Sequence, residues 1–210
     1  MFWQYLLCAL IGYLIGNIVV SYILAKRKTG RDLRQQGTKN VGASNVAVVA
    51  GYKTAFFAYI GDIFKGALAV FIARALFPNL PHAHTLAGCA CVFGHMYPFV
   101  LRFRGGKGFA SYIGLSLALT PLTGLIIGLG AVALAFIADR LIIATIAVMV
   151  AYPICMYFIS GRFSLSVLFL AITSLVIIIK HRDNIQRFLD GTEPRIRKYI
   201  KEKRTNRTQA

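Results

Sequence analysis

The sequence predicts an all-α fold: a polytopic integral membrane protein built as a bundle of helices. Of its 210 residues, 57% are hydrophobic and 15% are charged, whereas soluble domains usually carry about 25% charged residues. The hydrophobic residues form runs long enough to cross a bilayer, which a soluble core does not require. The lysines and arginines gather between these runs, at 26–53, 102–107 and 180–207. These observations favour one compact membrane domain.

The net charge of +17 is distributed as in a membrane protein rather than as in a nucleic-acid-binding domain. A nucleic-acid-binding domain presents its cations on one soluble face. Basic blocks beside apolar spans instead orient a protein in the bilayer and attract anionic lipid. We therefore expect membrane phospholipids, and no nucleic acid, among its partners.

Hydropathy alone divides the chain into six apolar runs, and each predicts a helix. The runs are 2–25, 54–77, 85–101, 109–138, 141–159 and 163–179. The first run lacks the charged start and the cleavage site of a signal peptide, so we interpret it as a retained span.

The positive-inside rule changes that count. It predicts that the basic segments 26–53 and 102–107 and the tail from 180 are cytoplasmic, and that the uncharged loop 78–83 is outside. An even number of crossings must then separate the 102–107 loop from the tail. The run 109–138 is too long for one span of about 20 residues, and it contains the break point Thr120-Pro121. Dividing the run there predicts seven spans. The piece 109–120 is short, so we expect it to cross the membrane only partly.

Three polar clusters fall on the predicted cytoplasmic side, each with the composition of an anion-binding loop. The first is GTKNVGASN at 37–45, the second is RFRGGKG at 102–108, and the third begins at His181. Glycines let backbone N–H groups approach a phosphate, while cations, amides and hydroxyls add charge and donors. The alternatives are a capped polar turn, a flexible loop that obeys the positive-inside rule, and a solvated helix on lipid headgroups.

Asp62, Lys65 and His95 are ionisable residues that lie well inside apolar runs. Charges within a span are costly and usually face a cavity or each other. Asp62 and Lys65 are three residues apart, so we expect them to pair. We interpret His95 as a hydrogen-bonded packing residue, with a catalytic role as the alternative.

Several other kinds of site are not indicated. The cysteines have neither CxxC nor Cys/His spacing, so we predict no disulfide and no zinc site. The predicted inner loops carry few carboxylates, unlike a magnesium-dependent phosphotransferase. The His-x4-Asp signature of acyltransferases that use coenzyme A and the Gly-x-Ser-x-Gly motif are both absent. We expect neither a cofactor nor a metal.

Five motifs follow one another along the chain: Gly37 to Asn45, Gly61-Asp62-x-x-Lys65-Gly66, Gly94-His95-x-Tyr97-Pro98, Gly105-Gly106-Lys107-Gly108 and His181-Arg182-x-Asn184-Ile185. Together they resemble the bacterial acyl-phosphate:glycerol-3-phosphate acyltransferases, the PlsY family. The resemblance extends from about residue 12 to about residue 193, and the glycine–lysine loop is its most specific part.

The resemblance implies a seven-span enzyme of the bacterial inner membrane with a cytoplasmic site. It implies transfer of a fatty acyl group from acyl phosphate to the 1-position of sn-glycerol 3-phosphate, which gives lysophosphatidic acid and phosphate for phospholipid biosynthesis. We expect a membrane-embedded acyltransferase domain over 1–180 and a basic cytoplasmic tail over 181–210.

The expected site residues fall into three groups. Catalytic roles are expected for Lys107, His181, Asn184 and Thr38. Substrate binding is expected from Gly37, Lys39, Asn40, Gly42, Ser44, Asn45, Gly105, Gly106 and Gly108. Supporting roles are expected for Asp62, Lys65, His95 and Glu193. The 105–108 loop is expected to hold one phosphate and the 37–45 loop the other, with direct acyl transfer because no covalent nucleophile stands out.

The sequence departs from the family pattern in three places. Gly16-Asn17-Ile18-Val19 replaces Gly-Ser-Ile-Pro, Gly37-Thr38-Lys39-Asn40 replaces Gly-Ser-Gly-Asn, and Val48 replaces an arginine. Lys39 is the cation that we expect to replace this arginine.

Two alternative functions remain at this point. One is a catalytically silent paralogue that binds phospholipid or partners the active enzyme, which the Val48 departure keeps open. The other is a transporter or lipid-moving protein in which Asp62 and Lys65 line a pathway. The placement of every polar cluster on one side disfavours the transporter.

Overall fold

The computed structural model describes residues 1–197, which fold into helices joined by short loops. The α-helices are α1 (Phe2–Gly16), α2 (Val20–Thr29), α3 (Ala43–Ala50), α4 (Tyr52–Leu76), α5 (Ala83–Met96), α6 (Phe109–Leu119), α7 (Pro121–Ala138), α8 (Leu141–Ser160), α9 (Leu165–Lys180) and α10 (Arg182–Leu189). The 3-10 turns Leu33–Gln35 and Phe99–Leu101 lie in the loops. The all-α prediction is confirmed. Much of the predicted basic tail, including Lys203, lies outside the described residues.

Long apolar helices support the prediction of a membrane protein. Among residues 1–197, four helices are long and apolar enough to cross a membrane when 2–29 is counted as one: 2–29, α4, α7 and α8. The pair α9 and α10, bent by 55°, makes a fifth if it is one broken span. Helices α5 and α6 are shorter, with 14 and 11 residues. The count of seven spans therefore stays a prediction.

One predicted helix break is confirmed, and another was not foreseen. Helix α6 ends at Leu119, and Pro121 opens α7 at the position where a missing N–H costs nothing. The first apolar run is interrupted at 17–19, although hydropathy predicts it as continuous. The carbonyls of Gly16 and Ile18 at this interruption accept hydrogen bonds from Lys65 Nζ, at 3.1 and 2.9 Å. A side chain from another helix thus satisfies the backbone there, which a local pattern does not reveal.

Glycines bring two pairs of helices into backbone contact. A Cβ at Gly12 of α1 would overlap the backbone of Ala87 in α5. A Cβ at Gly66 of α4 would likewise overlap the carbonyl of Ser111 in α6. Small residues allow this close approach between helices in membranes. Helices α5 and α6 are thereby held against different partners, so the loop between them is fixed at both ends.

The largest buried side chains form the core between α6 and α8. The Tyr112 and Tyr152 rings meet edge to face, with centroids 5.8 Å apart. Tyr112 Oη accepts a hydrogen bond from Ser174 Oγ at 2.7 Å, and Tyr152 Oη lies 3.0 Å from Thr120 Oγ1. Their hydroxyls are therefore satisfied inside the apolar bundle.

Loop contacts show which connections share an end of the bundle. Arg34 Nη1 donates to the carbonyl of Leu101 at 3.0 Å, which joins the α2–α3 connection to the α5–α6 loop. The three predicted polar clusters, 37–45, 102–108 and 181–193, meet at this end, which we call the polar end. At the other end, His82 Nδ1 in the α4–α5 connection lies 2.9 Å from Ser166 Oγ near the start of α9.

Candidate active site

The glycine–lysine loop folds back over the end of α5. The N–H of Gly105 donates to the carbonyl of Met96 at 3.2 Å, and that of Gly106 donates to the carbonyl of His95 at 3.1 Å. Gly108 then caps α6 with a φ of 90°, a conformation that glycine adopts without strain. The unpaired N–H groups of the first turn of α6 therefore begin directly after Lys107, in an arrangement suited to an anion.

Lys107 joins this loop to the third cluster. Its ammonium donates a hydrogen bond to Asn184 Oδ1. Asn184 Nδ2 donates in turn to Glu193 Oε1 at 2.7 Å, and Glu193 Oε2 accepts from Arg187 Nε at 2.9 Å. Burial, followed by the charge of Arg187, lowers the pKa of Lys107. The structure thus places Lys107, Asn184 and Glu193, which are far apart in sequence, in one hydrogen-bonded chain.

His181 follows the last apolar helix and is buried beside this chain. Its Nδ1 lies 2.8 Å from the carbonyl of Ile177. Because a carbonyl only accepts, Nδ1 carries the proton and Nε2 remains an acceptor. Burial lowers the pKa of His181 to about 4, and the nearby charge of Lys107 acts in the same direction. The imidazole is therefore neutral near pH 7, with a fixed acceptor nitrogen able to take a hydrogen bond from a hydroxyl.

Asn45 holds the first cluster together. Its Nδ2 lies within hydrogen-bond distance of the carbonyls of Leu33, Gln36 and Asn40, at 3.1, 2.9 and 2.9 Å. Its Oδ1 accepts from the N–H of Thr38 at 2.8 Å. The side chain is fully buried, with 0% exposure. Its polar atoms are all occupied inside the loop, so Asn45 shapes the loop rather than presenting itself at the surface.

Other members of the first cluster are exposed at the polar end. Thr38, Lys39 and Ser44 are all exposed. Lys39 has a φ of 59°, the left-handed conformation that non-glycine residues adopt at a cost. Gly42 caps α3 with an extended backbone. Val48, which we expect to replace an arginine, is 57% exposed on α3.

The first and second clusters meet at Gly106. A Cβ at this position would overlap both the ring of His95 and the carbonyl oxygen of Val41. The 37–45 loop and the 105–108 loop therefore touch, with no room for a side chain between them. Every predicted site residue outside the spans lies on one of the three clusters that converge here.

Asp32 and Arg34 form a second link between the loops, and sequence reasoning missed them. The guanidinium donates to both carboxylate oxygens of Asp32, at 2.6–3.1 Å, while also holding the carbonyl of Leu101. These bonds lower the pKa of Asp32 to about 2. Arg34 and Leu101 are 67 residues apart, so no local pattern in the sequence signals this contact.

Asp62, Lys65 and His95 lie together behind the loops. Lys65 Nζ is 2.9 Å from Asp62 Oδ1, which confirms the expected pair. His95 Nδ1 lies 2.8 Å from Lys65 Nζ, and Asp62 Oδ2 accepts from Ser21 Oγ at 2.6 Å. All four side chains are buried. No motif in the sequence indicates that Ser21 contacts this pair.

Within residues 1–197, no group of three or more His, Cys, Asp or Glu side chains is arranged to hold a metal ion. The donors that converge at the polar end are instead amides, hydroxyls, backbone N–H groups and cations. Such a set is suited to anions.

Comparison with known proteins points to one family. The family model described as glycerol-3-phosphate acyltransferase matches residues 6–191. A protein of that name from Clostridioides difficile (strain 630) is 36% identical, and the match covers 92% of this chain and 96% of the relative. Another of that name from Syntrophotalea carbinolica is 40% identical over 90% of this chain and 95% of the relative.

The fold matches a solved structure as well. The crystal structure of PlsY (YgiH), an integral membrane glycerol 3-phosphate acyltransferase, in its glycerol 3-phosphate form superposes with a TM-score of 0.84 at 32% identity, covering 91% of this chain and 95% of that one. The lysophosphatidic acid form of PlsY superposes with a TM-score of 0.79, over 91% of this chain and 94% of that one.

Proposed function

Since this chain belongs to the glycerol-3-phosphate acyltransferase family, we propose that it transfers a fatty acyl group from acyl phosphate to the 1-position of sn-glycerol 3-phosphate. The products are lysophosphatidic acid and phosphate. Family membership supports glycerol-3-phosphate acyltransferase activity over the silent-paralogue and transporter alternatives. The donor and the roles of the loops are our proposal, and the observation that carries them is the hydrogen bond between Lys107 and Asn184 at the meeting point of the three clusters.

Electrostatics is the main difficulty of this reaction. Both substrates carry a phosphate, so bringing the hydroxyl to the carbonyl requires two anions to approach each other. Cations and N–H groups fixed in advance around both phosphates offset that repulsion and hold the reacting atoms together. Loops rich in glycine and lysine, held by Asn45 on one side and by α5 on the other, supply these groups.

The roles are divided among the three clusters. The backbone of 105–108 and the Lys107 ammonium hold one phosphate, and Thr38, Asn40 and Ser44 hold the other. His181 and Asn184 orient the glycerol part, with the acceptor Nε2 of His181 receiving a hydrogen bond from a glycerol hydroxyl.

The transfer itself is direct. The hydroxyl oxygen attacks the acyl carbonyl carbon, a new C–O bond forms, and the C–O bond to the phosphate breaks. The departing phosphate accepts the hydroxyl proton. Acyl phosphate is a mixed anhydride with a good leaving group, so positioning and charge stabilisation carry the catalysis.

The proposed placement in the membrane has seven spans, with the polar end facing the cytoplasm in the bacterial inner membrane. The basic segments 26–53 and 102–107 lie at that end, as the positive-inside rule requires. The described part of the tail joins it there, because the N–H of Arg197 donates to Asp139 Oδ1 at 2.8 Å in the α7–α8 connection. We propose that residues 181–193 complete the site of the 1–180 domain.

An assay of the purified protein in lipid nanodiscs tests the proposed donor. Acyl phosphate with radiolabelled glycerol 3-phosphate is expected to give labelled lysophosphatidic acid, and acyl-coenzyme A in a parallel reaction is expected to be a poor donor. Product from acyl-coenzyme A alone would reject the donor assignment. No product from either donor, with glycerol 3-phosphate still bound, would support the silent paralogue.

A further inference from the structure

We propose that His95 is a positioning residue whose imidazole, fixed by the buried Asp62–Lys65 pair, sets the separation of the two substrate-binding loops. The inference rests on the proposed function of those loops. It assigns the intramembrane charges a role in the geometry of catalysis rather than in transport or in packing alone.

Lys65 has more acceptors around its ammonium than it has N–H bonds. An ammonium has three N–H bonds. They point to the carbonyls of Gly16 and Ile18, at 3.1 and 2.9 Å, and to His95 Nδ1 at 2.8 Å. Asp62 Oδ1, 2.9 Å away, is therefore held by charge alone. Consistently, that oxygen makes no hydrogen bond within residues 1–197.

This count fixes the ring proton of His95. Because Lys65 donates to Nδ1, that nitrogen carries no hydrogen, and the proton of the neutral ring lies on Nε2. A doubly protonated ring would set two donors against each other at 2.8 Å. Asp62 Oδ1, 3.5 Å from Nδ1, is too far to reverse this arrangement.

The opposite edge of the ring faces the loops. The place where a Cβ at Gly106 would stand is bounded by Nε2 and Cε1 of His95 and by the carbonyl oxygen of Val41. The N–H of Gly106 also donates to the backbone carbonyl of His95. The ring, the 105–108 loop and the 37–45 loop thus meet at one point, so the ring determines how closely the loops approach.

The network reaches the start of the second loop by another route. Lys65 holds the interruption between α1 and α2, and Asn17 within that interruption accepts a hydrogen bond from the N–H of Phe99 at 2.7 Å. Phe99 opens the turn that leads into the glycine–lysine loop. A buried ion pair stabilises a fold poorly compared with apolar packing. This pair instead fixes the geometry of the α5–α6 loop at two points, Phe99 and Gly106.

Two substitutions of His95 separate positioning from stability. His95→Asn keeps an acceptor near the position of Nδ1 but is too short to reach the loops. His95→Gln places its amide near the Nε2 edge. Tyr152→Phe, which removes a buried hydroxyl from the far end of the core, is the matched control.

We expect His95→Asn to lower kcat by about tenfold to a hundredfold, the range in which small misplacements act. The KM values should change much less, because each loop still holds its own substrate. Rates are normalised to protein that binds labelled glycerol 3-phosphate, so unfolded protein does not count. His95→Gln should recover much of the loss, and Tyr152→Phe should keep the wild-type kcat.

A readout without turnover tests the same inference. Spin labels at Gln35→Cys and Arg104→Cys report the distance between the two loops by pulsed electron paramagnetic resonance. We expect His95→Asn to broaden that distribution, with His95→Gln and Tyr152→Phe leaving it narrow. Should His95→Asn not fold, the charge-neutral pair Asp62→Asn with Lys65→Gln keeps the ring but removes the ammonium that fixes it, and should produce the same broadening.

The outcomes separate the two proposals. An inactive wild type would reject the proposed function, and the label distances would still decide the role of His95. Wild-type kcat and an unchanged distance distribution in a folded His95→Asn protein would overturn the positioning role. The positioning role would also be overturned if Tyr152→Phe lost as much kcat as His95→Asn when both variants lost the same amount of Tm.

Discussion

At the scale of single residues, Lys107 combines a backbone N–H between glycines with an ammonium held by Asn184. A charge-assisted hydrogen bond to a phosphate is typically worth about 1.5–3 kcal/mol. Lys107→Ala is therefore expected to lower kcat/KM by roughly tenfold to a hundredfold or more. Lys107→Gln should be nearly as poor, because it keeps much of the length and removes the charge. Steady-state kinetics in nanodiscs measure both.

Arg104→Gln serves as the control, since it removes an exposed cation three residues away. It should leave kcat/KM within a few-fold of wild type, because an exposed charge contributes little. Near-normal activity in Lys107→Gln would show that hydrogen bonding, and not charge, is what the site requires of Lys107.

Lys39 should affect stability and activity in opposite directions. Its φ of 59° is strained for a residue with a Cβ, so Lys39→Gly is expected to relieve roughly 1 kcal/mol and raise Tm slightly. The same change removes the cation that we assign to the role of the arginine replaced by Val48, so activity should fall severely. Adding Val48→Arg should restore part of that activity. Thermal denaturation and turnover of the same preparations measure both effects.

A double-mutant cycle over Lys39→Gly and Val48→Arg tests the compensation directly. Strict additivity of the two changes would reject it, while the acyltransferase assignment would stand. Lys39→Asn is a useful control, because asparagine tolerates the left-handed conformation and carries no charge. It separates the contribution of the ammonium from that of the backbone.

Residue types and spacing predict the members of the site better than their roles. Glycines, amides and cations between apolar runs mark all three clusters, which is the composition that the proposed anion binding requires. The hydrogen bonds of the Asn45 amide depend on the path of 33–40, which no local pattern specifies. The contact of Arg34 with Leu101 joins positions far apart in sequence, so the sequence does not predict it either.

At the scale of helices, close packing through glycine is a testable feature. Gly12→Ala would drive a Cβ into the backbone of α5, and such overpacking typically costs about 1–3 kcal/mol. Gly128→Ala in α7 meets no atom within 4 Å and replaces a helix-weakening residue. It should be neutral or stabilise by up to about 1 kcal/mol. Thermal unfolding in one detergent compares the two variants.

Equal stabilities for the Gly12 and Gly128 variants would contradict the close contact between α1 and α5. Turnover per folded molecule should be unchanged in both, because neither glycine belongs to the loops. This separates packing of the bundle from the chemistry at its polar end.

Helix ends were predictable where the cause is local. Proline at 121 marks a break by its own chemistry, and the structure places the break there. The interruption at 17–19 depends on donors from Lys65 in another helix, so hydropathy gives no indication of it. The short length of α5 also depends on residues from elsewhere in the chain. The N–H groups of Gly105 and Gly106 donate to the carbonyls of Met96 and His95 at the end of this helix.

At the scale of the whole molecule, charge distribution predicts sidedness. Single-cysteine labelling in intact cells and inverted vesicles should find Lys39, Arg104 and Lys203 on the cytoplasmic side and Asn79 outside. The reason is the retention of basic loops in the cytoplasm. Labelling of position 203 from outside would show that the seven-span arrangement is wrong. Position 79 is the internal control, because its loop lies at the opposite end from the three clusters.

The shortness of α6 affects how the reaction rate should be measured. Its 11 residues span roughly 16 Å, about half of a hydrocarbon core of about 30 Å. In the seven-span arrangement, the 102–108 loop before α6 then lies below the cytoplasmic membrane surface. Water contacts this loop from the cytoplasmic side, and lipid tails contact it from the membrane side. In the proposed reaction, glycerol 3-phosphate arrives from solution and acyl phosphate by lateral diffusion in the membrane. The rate should therefore follow the mole fraction of the donor among the lipids, and dilution with inert lipid should slow turnover at constant bulk concentration.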